Sequence, residues 1–255
     1  MRKALACLVV GALALTACMG QPQRRGPPTK VIDAVLRGVP GVAQPSRIVA
    51  IEVALGQLAS ELTPTAALLN YAAATAQVQE TSGLTPVQQW IGQAPPPATA
   101  IKWNTRAVAI ACDGALAAST GRFTDAQGIV GNYAMIWQRQ SDGSYRWLHH
   151  VAAPDVPQPP PPARPEPGNI TVTAMDAVQG MIATCPRRGE DLPPPPALSV
   201  MDDLPGGATL SDDGTLRWRW QQRGDGARFI AAEYFYEGRW LNAFEQPIGA
   251  TTAAP

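Results

Sequence analysis

The sequence predicts an α+β protein: helices packed on a curved antiparallel sheet, followed by a Pro-rich linker and a small antiparallel β-meander. Three observations predict it. Apolar residues step by threes and fours from Ile48 to Leu62, the spacing of one helix face. From residue 101 the period becomes two, and turn residues cut the run into hairpins. Beyond a proline-dense stretch, Leu216, Trp218 and Trp220 alternate with Arg217, Arg219 and Gln221. Of 255 residues, 45% are hydrophobic, enough for a core, which excludes wholesale disorder. Basic and acidic residues number 20 each, for a net charge of +0. That balance excludes a strongly basic nucleic-acid or polybasic membrane binder, so no nucleic-acid partner is expected.

The chain opens with Arg2 and Lys3 before an apolar run, Ala4–Ala17, too short to be a permanent membrane span. The run ends in Leu15-Thr16-Ala17-Cys18. That tetrad resembles the bacterial lipobox, in which small residues precede a Cys that takes a diacylglycerol and, after cleavage, an acylated amine. The resemblance implies a signal peptide at 1–17, lipidation (palmitate included) of Cys18, and anchoring of the protein to the membrane through that lipid. Each buried CH₂ contributes about 0.8 kcal/mol, so several chains on one Cys anchor firmly. Met19, not Asp, follows Cys18; in lipoproteins of this kind that implies the periplasmic face of the outer membrane. The alternative is an ordinary secretory signal with a chance Cys. Residues 18–45, rich in Pro, Gly, Gln and Arg, read as a flexible tether.

The first folded block spans 46–153. Ser46 is a candidate N-cap for a helix carrying Ile48, Ile51, Leu55, Leu58 and Leu62. Thr63-Pro64 caps a second, short helix ending near Tyr71, and Thr85-Pro86 repeats the device before Trp90 and Ile91. Four strands follow, at 101–112, 115–123, 129–140 and 145–152, with Asp113-Gly114 and Ser141-Asp142-Gly143-Ser144 as hairpin turns. Residues 154–168 form a Pro-rich, extended linker. In the C-terminal segment, 169–246, residues 169–184 read as a strand and then a helix. A meander of three strands lies at 215–222, 228–237 and 239–246, and 247–255 reads as a disordered tail. A three-stranded sheet needs cover, so the meander is expected to dock on the first block.

The segments CDGALAASTGRF and GNYAMIWQRQSDGSYRWLHH, with the helices before them, resemble the SnoaL-like branch of the nuclear-transport-factor-2-like fold. The chain is also similar to alphaproteobacterial proteins that carry such a domain, then a Cys-containing segment and a Trp-rich β region. The resemblance implies a curved sheet wrapped on helices into a cone with an apolar pocket. Enzymes of this fold include isomerases and dehydratases, and many members have no known activity, so fold does not carry function here.

Counting pairs across Ser141–Ser144 sets Trp137 opposite Leu148, Met135 opposite His150, Tyr133 opposite Ala152 and Arg139 opposite Arg146, all on one face. Ile136, Gln138, Tyr145, Trp147 and His149 take the other. The pocket candidates are therefore Tyr133, Met135, Trp137 and His150, joined by Glu52 from the first helix. An isomerase or dehydratase would use His150 as general base and Tyr133 as donor to the developing oxyanion. No Asp or Glu of the strands points inward, so no catalytic residue is assigned. The other readings are core aromatics with a hydrogen-bonded wall histidine, and a non-catalytic pocket for a small apolar ligand. His149-His150 is no metal site, because strand neighbours face opposite ways, and no cofactor motif occurs. With Cys7 in the leader and Cys18 lipidated, Cys112 and Cys185 remain, the number for one disulfide in an oxidising compartment, the alternative being two free thiols. The leading reading is a non-catalytic, periplasm-facing lipoprotein that binds a small molecule or a partner; the alternative is an isomerase-like or dehydratase-like enzyme using His150.

Overall fold

The structure is a computed structural model that describes residues 43–93, 101–160, 177–187, 189–197, 204–223 and 227–249. The leader, Cys18, most of the tether and residues 250–255 lie outside the described residues. From Val42 onward the chain is one compact unit.

Helix α1 (Pro45–Glu61) begins one residue before the expected cap. Gln44 is the N-cap and makes no side-chain bond, so Ser46 does not play that role. Pro45 suits the first turn because its φ is preset and no N–H is wasted there. Ile48, Glu52, Leu55 and Ala59 form the buried stripe, while Leu62 is exposed. Ala43, assigned to the tether by sequence, is buried in the same core. Helix α2 (Pro64–Tyr71) is capped as expected: the Thr63 hydroxyl accepts from the Ala66 N–H at 3.1 Å.

The sequence reading lacked the next two elements. Strand β1 (Ala72–Glu80) leaves α2 directly and turns back as β2 (Gly83–Pro86), so Thr85-Pro86 belongs to a strand rather than to a helix cap. Helix α3 (Val87–Gln93) follows. Strands β3 (Lys102–Ile110), β4 (Leu116–Thr124), β5 (Val130–Arg139) and β6 (Tyr145–Pro154) form the expected antiparallel meander. Strand β7 (Gln179–Ile182) stands where a helix was expected and pairs in parallel with β3. Together they make a seven-stranded sheet in the order β2-β1-β6-β5-β4-β3-β7.

The C-terminal meander has four strands, not three. They are β8 (Gly206–Leu210), β9 (Leu216–Gln222), β10 (Arg228–Tyr236) and β11 (Arg239–Ile248), in the order β11-β10-β9-β8. The Gly206-Gly207 pair is what lets β8 approach: a Cβ on Gly207 would lie 2.9 Å from Trp220 Nε1. Strand β11 runs into the expected tail, and Ile248 is buried.

The result is three layers. The helices cover one face of the large sheet, with Val108, Ile110, Tyr133, Met135, Trp137, Tyr145 and Trp147 in the core between them. The small sheet covers the other face through Ala109, Ala118, Ala134, Ile136, Leu216, Trp218 and Ile230. The strand faces differ from expectation at one point. Met135 opposes His150 and Tyr133 opposes Ala152, but Trp137 opposes Trp147 and Arg139 opposes Tyr145. A bulge near Leu148 supplies the extra residue and switches sides, bringing Tyr145 and Trp147 to the helix face.

Candidate functional site

The helix-facing side of the sheet gathers three of the five pocket candidates around a fourth, the carboxylate of Glu52. Glu52 is on the buried stripe of α1, 4% exposed. Its Oε2 accepts from the Thr105 hydroxyl and, at 2.8 Å, from the Tyr133 hydroxyl. Its Oε1 accepts from the Ser119 hydroxyl and, at 3.3 Å, from the Trp137 indole N–H. Trp137 Nε1 also lies 3.0 Å from Ser119 Oγ, so the donors are knitted together. Met135 packs beside them. Gly121, opposite Tyr133 on β4, makes the arrangement fit: a Cβ there would lie 2.8 Å from the Tyr133 hydroxyl oxygen.

Burial raises the Glu52 carboxyl above its ordinary value, while the bonds from Ser119, Thr105, Tyr133 and Trp137 pull the other way. Burial, and then the Glu52 charge, push the Tyr133 phenol well above 10.0. A carboxylate with two donors on each oxygen has its acceptor capacity filled, and leaves no lone pair for a substrate proton.

His150 shares this face but not this cluster. It is buried, and neither ring nitrogen has a partner among the described residues. Its nearest ring is Trp147, centroids 5.9 Å apart. Burial, then the Arg228 charge, lower its pKa to about 4. In the isomerase-like alternative His150 is the base and Tyr133 the oxyanion donor; here the Tyr133 hydroxyl donates to Glu52. Thr105 and Ser119 were absent from the sequence reading. Ser119 was legible through its alternation with Ala117 on β4, which also faces the helices. Thr105 was not, because an irregularity between Thr105 and Ala107 shifts the β3 register.

The opposite face holds a second polar centre. With Gln79 Oε1 as acceptor at 3.1 Å, His149 Nε2 carries the proton. The ring packs 4.9 Å from Trp218, and burial lowers its pKa to about 3. Gln79 Nε2 donates to Gln221 O at 2.9 Å, and Arg228 Nη1 donates to Gln79 O at 3.0 Å, tying the two sheets together. Trp218 and Trp220 face this interior, while Arg217 and Arg219 face outward onto Glu233.

Two clefts of about 270 and about 300 Å³ lie elsewhere, one at Asn132, Asp155 and Pro247, the other between α1 and β7 at Val49 and Gly180. Glu52, Tyr133, Met135, Trp137 and His150 line neither. Among the described residues no group of three or more His, Cys, Asp and Glu converges. Cys112 and Cys185 form a disulfide with Cα atoms 5.1 Å apart, joining the end of β3 to the chain after β7.

No protein-family model and no curated protein matches the chain. Among solved structures it is similar to a ketosteroid-isomerase candidate from Shewanella frigidimarina, 16% identical, covering 40% of this chain and 90% of that one with a TM-score of 0.31. It is also similar to an NTF2-like protein of unknown function from Mesorhizobium loti, 17% identical, covering 44% of this chain and 93% of that one with a TM-score of 0.29.

Proposed function

We propose that the chain is a lipoprotein anchored through Cys18 at the periplasmic face of the outer membrane, whose SnoaL-like domain binds a partner and does no chemistry. The anchor rests on Leu15-Thr16-Ala17-Cys18 and the apolar run before it. The non-catalytic reading rests on one observation: Glu52, the only carboxylate among the pocket candidates, holds four donors in an interior packed with Tyr133, Met135, Trp137 and Trp147. A general base needs a free lone pair and a route for substrate, and Glu52 has neither. His150 is neutral at pH 7 and sealed in the same interior, so as a base it would be weak as well as out of reach.

Two measurements test the proposal. Cys18→Ser abolishes incorporation of labelled palmitate and releases the protein from the membrane fraction; retention of both overturns the anchor. Native mass spectrometry of the released protein gives the bare polypeptide mass. A stoichiometric small molecule that leaves only on denaturation overturns the sealed interior and restores a ligand pocket.

A further inference from the structure

The outward face of the small sheet should be polar and wet, yet several of its residues are not. Arg217 is 7% exposed and Phe235 is 4% exposed. Thr184 and the Pro193–Pro196 run, between β7 and β8, meet this face. Thr184 N–H donates to Phe235 O at 2.8 Å, Arg217 Nη1 donates to Pro196 O at 2.7 Å, and Trp240 Nε1 donates to Pro193 O at 2.9 Å. Trp240 stands edge-on to Phe235, centroids 6.1 Å apart, on the same face.

The spacing of the two side-chain donors is informative. Four consecutive prolines, Pro193–Pro196, fix φ near −65° and force extended ψ, which is a polyproline helix with three residues per turn. Carbonyls 193 and 196 are one turn apart and point the same way. Leu192 and Pro195 are also one turn apart, and they are half-buried while Pro193, Pro194 and Pro196 are exposed. The sheet therefore reads the strap with the period of a polyproline helix: two donors, Arg217 and Trp240, take carbonyls one turn apart, and the residues turned inward are the half-buried Leu192 and Pro195. A planar guanidinium, held by Glu233 at 2.5 Å, and an indole N–H beside an aromatic ring are the chemistry that recognises such helices.

We infer that Arg217, Phe235 and Trp240 form a polyproline-binding site, filled in cis by Leu192–Pro196, which takes a proline-rich segment of a partner in its place. A flexibly tethered occupant competes at an effective concentration on the order of millimolar, so the intact chain masks the site. The inference concerns a surface apart from Glu52 and stands or falls independently of the sealed interior.

The test uses the full chain with Pro193–Pro196 replaced by Ser-Gly-Ser-Gly, and the synthetic hexapeptide Leu-Pro-Pro-Pro-Pro-Ala as probe. The Trp240 indole N–H resonance, identified by its loss in Trp240→Phe, reports the site. In the strap variant that resonance moves toward its solvent position, and the hexapeptide returns it saturably. The intact chain binds the peptide at least about tenfold more weakly, and adding Trp240→Phe to the strap variant weakens its binding, read by titration calorimetry, about tenfold. Should the strap variant fail to fold, Pro195→Gly alone gives the same displacement by the peptide at higher concentration. A folded variant whose Trp240 signal ignores millimolar peptide, or equal binding with and without Trp240, overturns the site.

Discussion

The two faces of the seven-stranded sheet bury polar groups in different ways. The helix face is built of large side chains, Tyr133, Met135, Trp137, Tyr145 and Trp147, around one carboxylate. The other face is built of small ones, Ala109, Ala111, Ala118 and Ala134, because two sheets pack only about 10 Å apart. Its polar groups are an imidazole, an amide and a guanidinium that tie the sheets together. His149 and His150 are sequence neighbours that sample both sides. His149 has a partner and a stacked indole, while His150 has no partner on either nitrogen. A buried titratable group is thus no site by itself; what distinguishes the two histidines, and Glu52 from both, is how far each is satisfied.

The largest effects should come from breaking the satisfied group. Trp137→Ala removes one of the largest fully buried side chains and one donor to Glu52, and should cost about 3–5 kcal/mol. Glu52→Leu leaves Thr105, Ser119, Tyr133 and Trp137 facing an apolar group, and should cost about 3 kcal/mol. Glu52→Gln costs only about 1 kcal/mol. The amide oxygen can face Ser119 and the indole, and the amide nitrogen can donate to Thr105 and Tyr133, whose hydroxyls accept as well as donate. Urea denaturation under oxidising conditions measures all three. Leu and Gln variants of equal stability would show that the four bonds to Glu52 contribute nothing, and that only its volume matters.

The same contrast explains what was legible in the sequence. Strands β3 to β6 were, because glycine-containing turns separate them and their period is two. Helix α2 was, because Thr63 caps it and Pro64 opens it, although the same dipeptide at Thr85-Pro86 ends a strand. Strands β1 and β2 were not: the Ala72–Glu80 run has only Thr75 and Val78 as β-branched residues, and its strand character comes from pairing with β6. Glu52, Tyr133, Met135 and Trp137 could be named from the sequence and Ser119 was legible on β4, but Thr105 was not. Bulges at Thr105 and near Leu148 re-aim side chains by one position, and nothing local in the sequence marks a bulge. Cysteine count suggested the bridge; pairing of β7 with β3 is what brings the two residues together.

That bridge sharpens the comparison, because it fastens only one side. Cys112 and Cys185 are separated by 73 residues, and removing the bridge should cost about 2–4 kcal/mol. In Cys112→Ala/Cys185→Ala the loss should be uneven. Amides of Ala183 and Thr184, which bond to Ile110 and Phe235, should exchange faster by one to two orders of magnitude. Amides of α1 around Glu52 should change far less. Uniform acceleration across both faces would show that the two cores open together.

The smallest effect comes from the unsatisfied group, and pH reveals it. His150→Leu replaces a buried imidazole without partners by an apolar chain, and should stabilise by about 1 kcal/mol at pH 7. The histidines titrate near 6.5 when unfolded, but at about 4 and about 3 in the fold. Below pH 6.5 the unfolded chain therefore binds two protons that the native chain refuses, and stability falls as pH falls. Glu52 has the opposite sign: its folded pKa lies above 4.5, so just above that value the native chain holds a proton the unfolded chain has lost. Asp113, raised from 3.8 chiefly by burial, acts in the same sense as Glu52, while Asp213, lowered from 3.8, acts only below that value. Between pH 4.5 and 6.5 the two histidines oppose the raised carboxyls, and each proton is worth up to about 1.4 kcal/mol per pH unit. The histidines make stability rise with pH across this window. His150→Leu should flatten the rise, and Glu52→Gln should steepen it. Urea midpoints at pH 5 and pH 6 decide the matter. A His150→Leu slope equal to wild type would mean that His150 reaches water in the native state, and that the interior beside Glu52 is open after all.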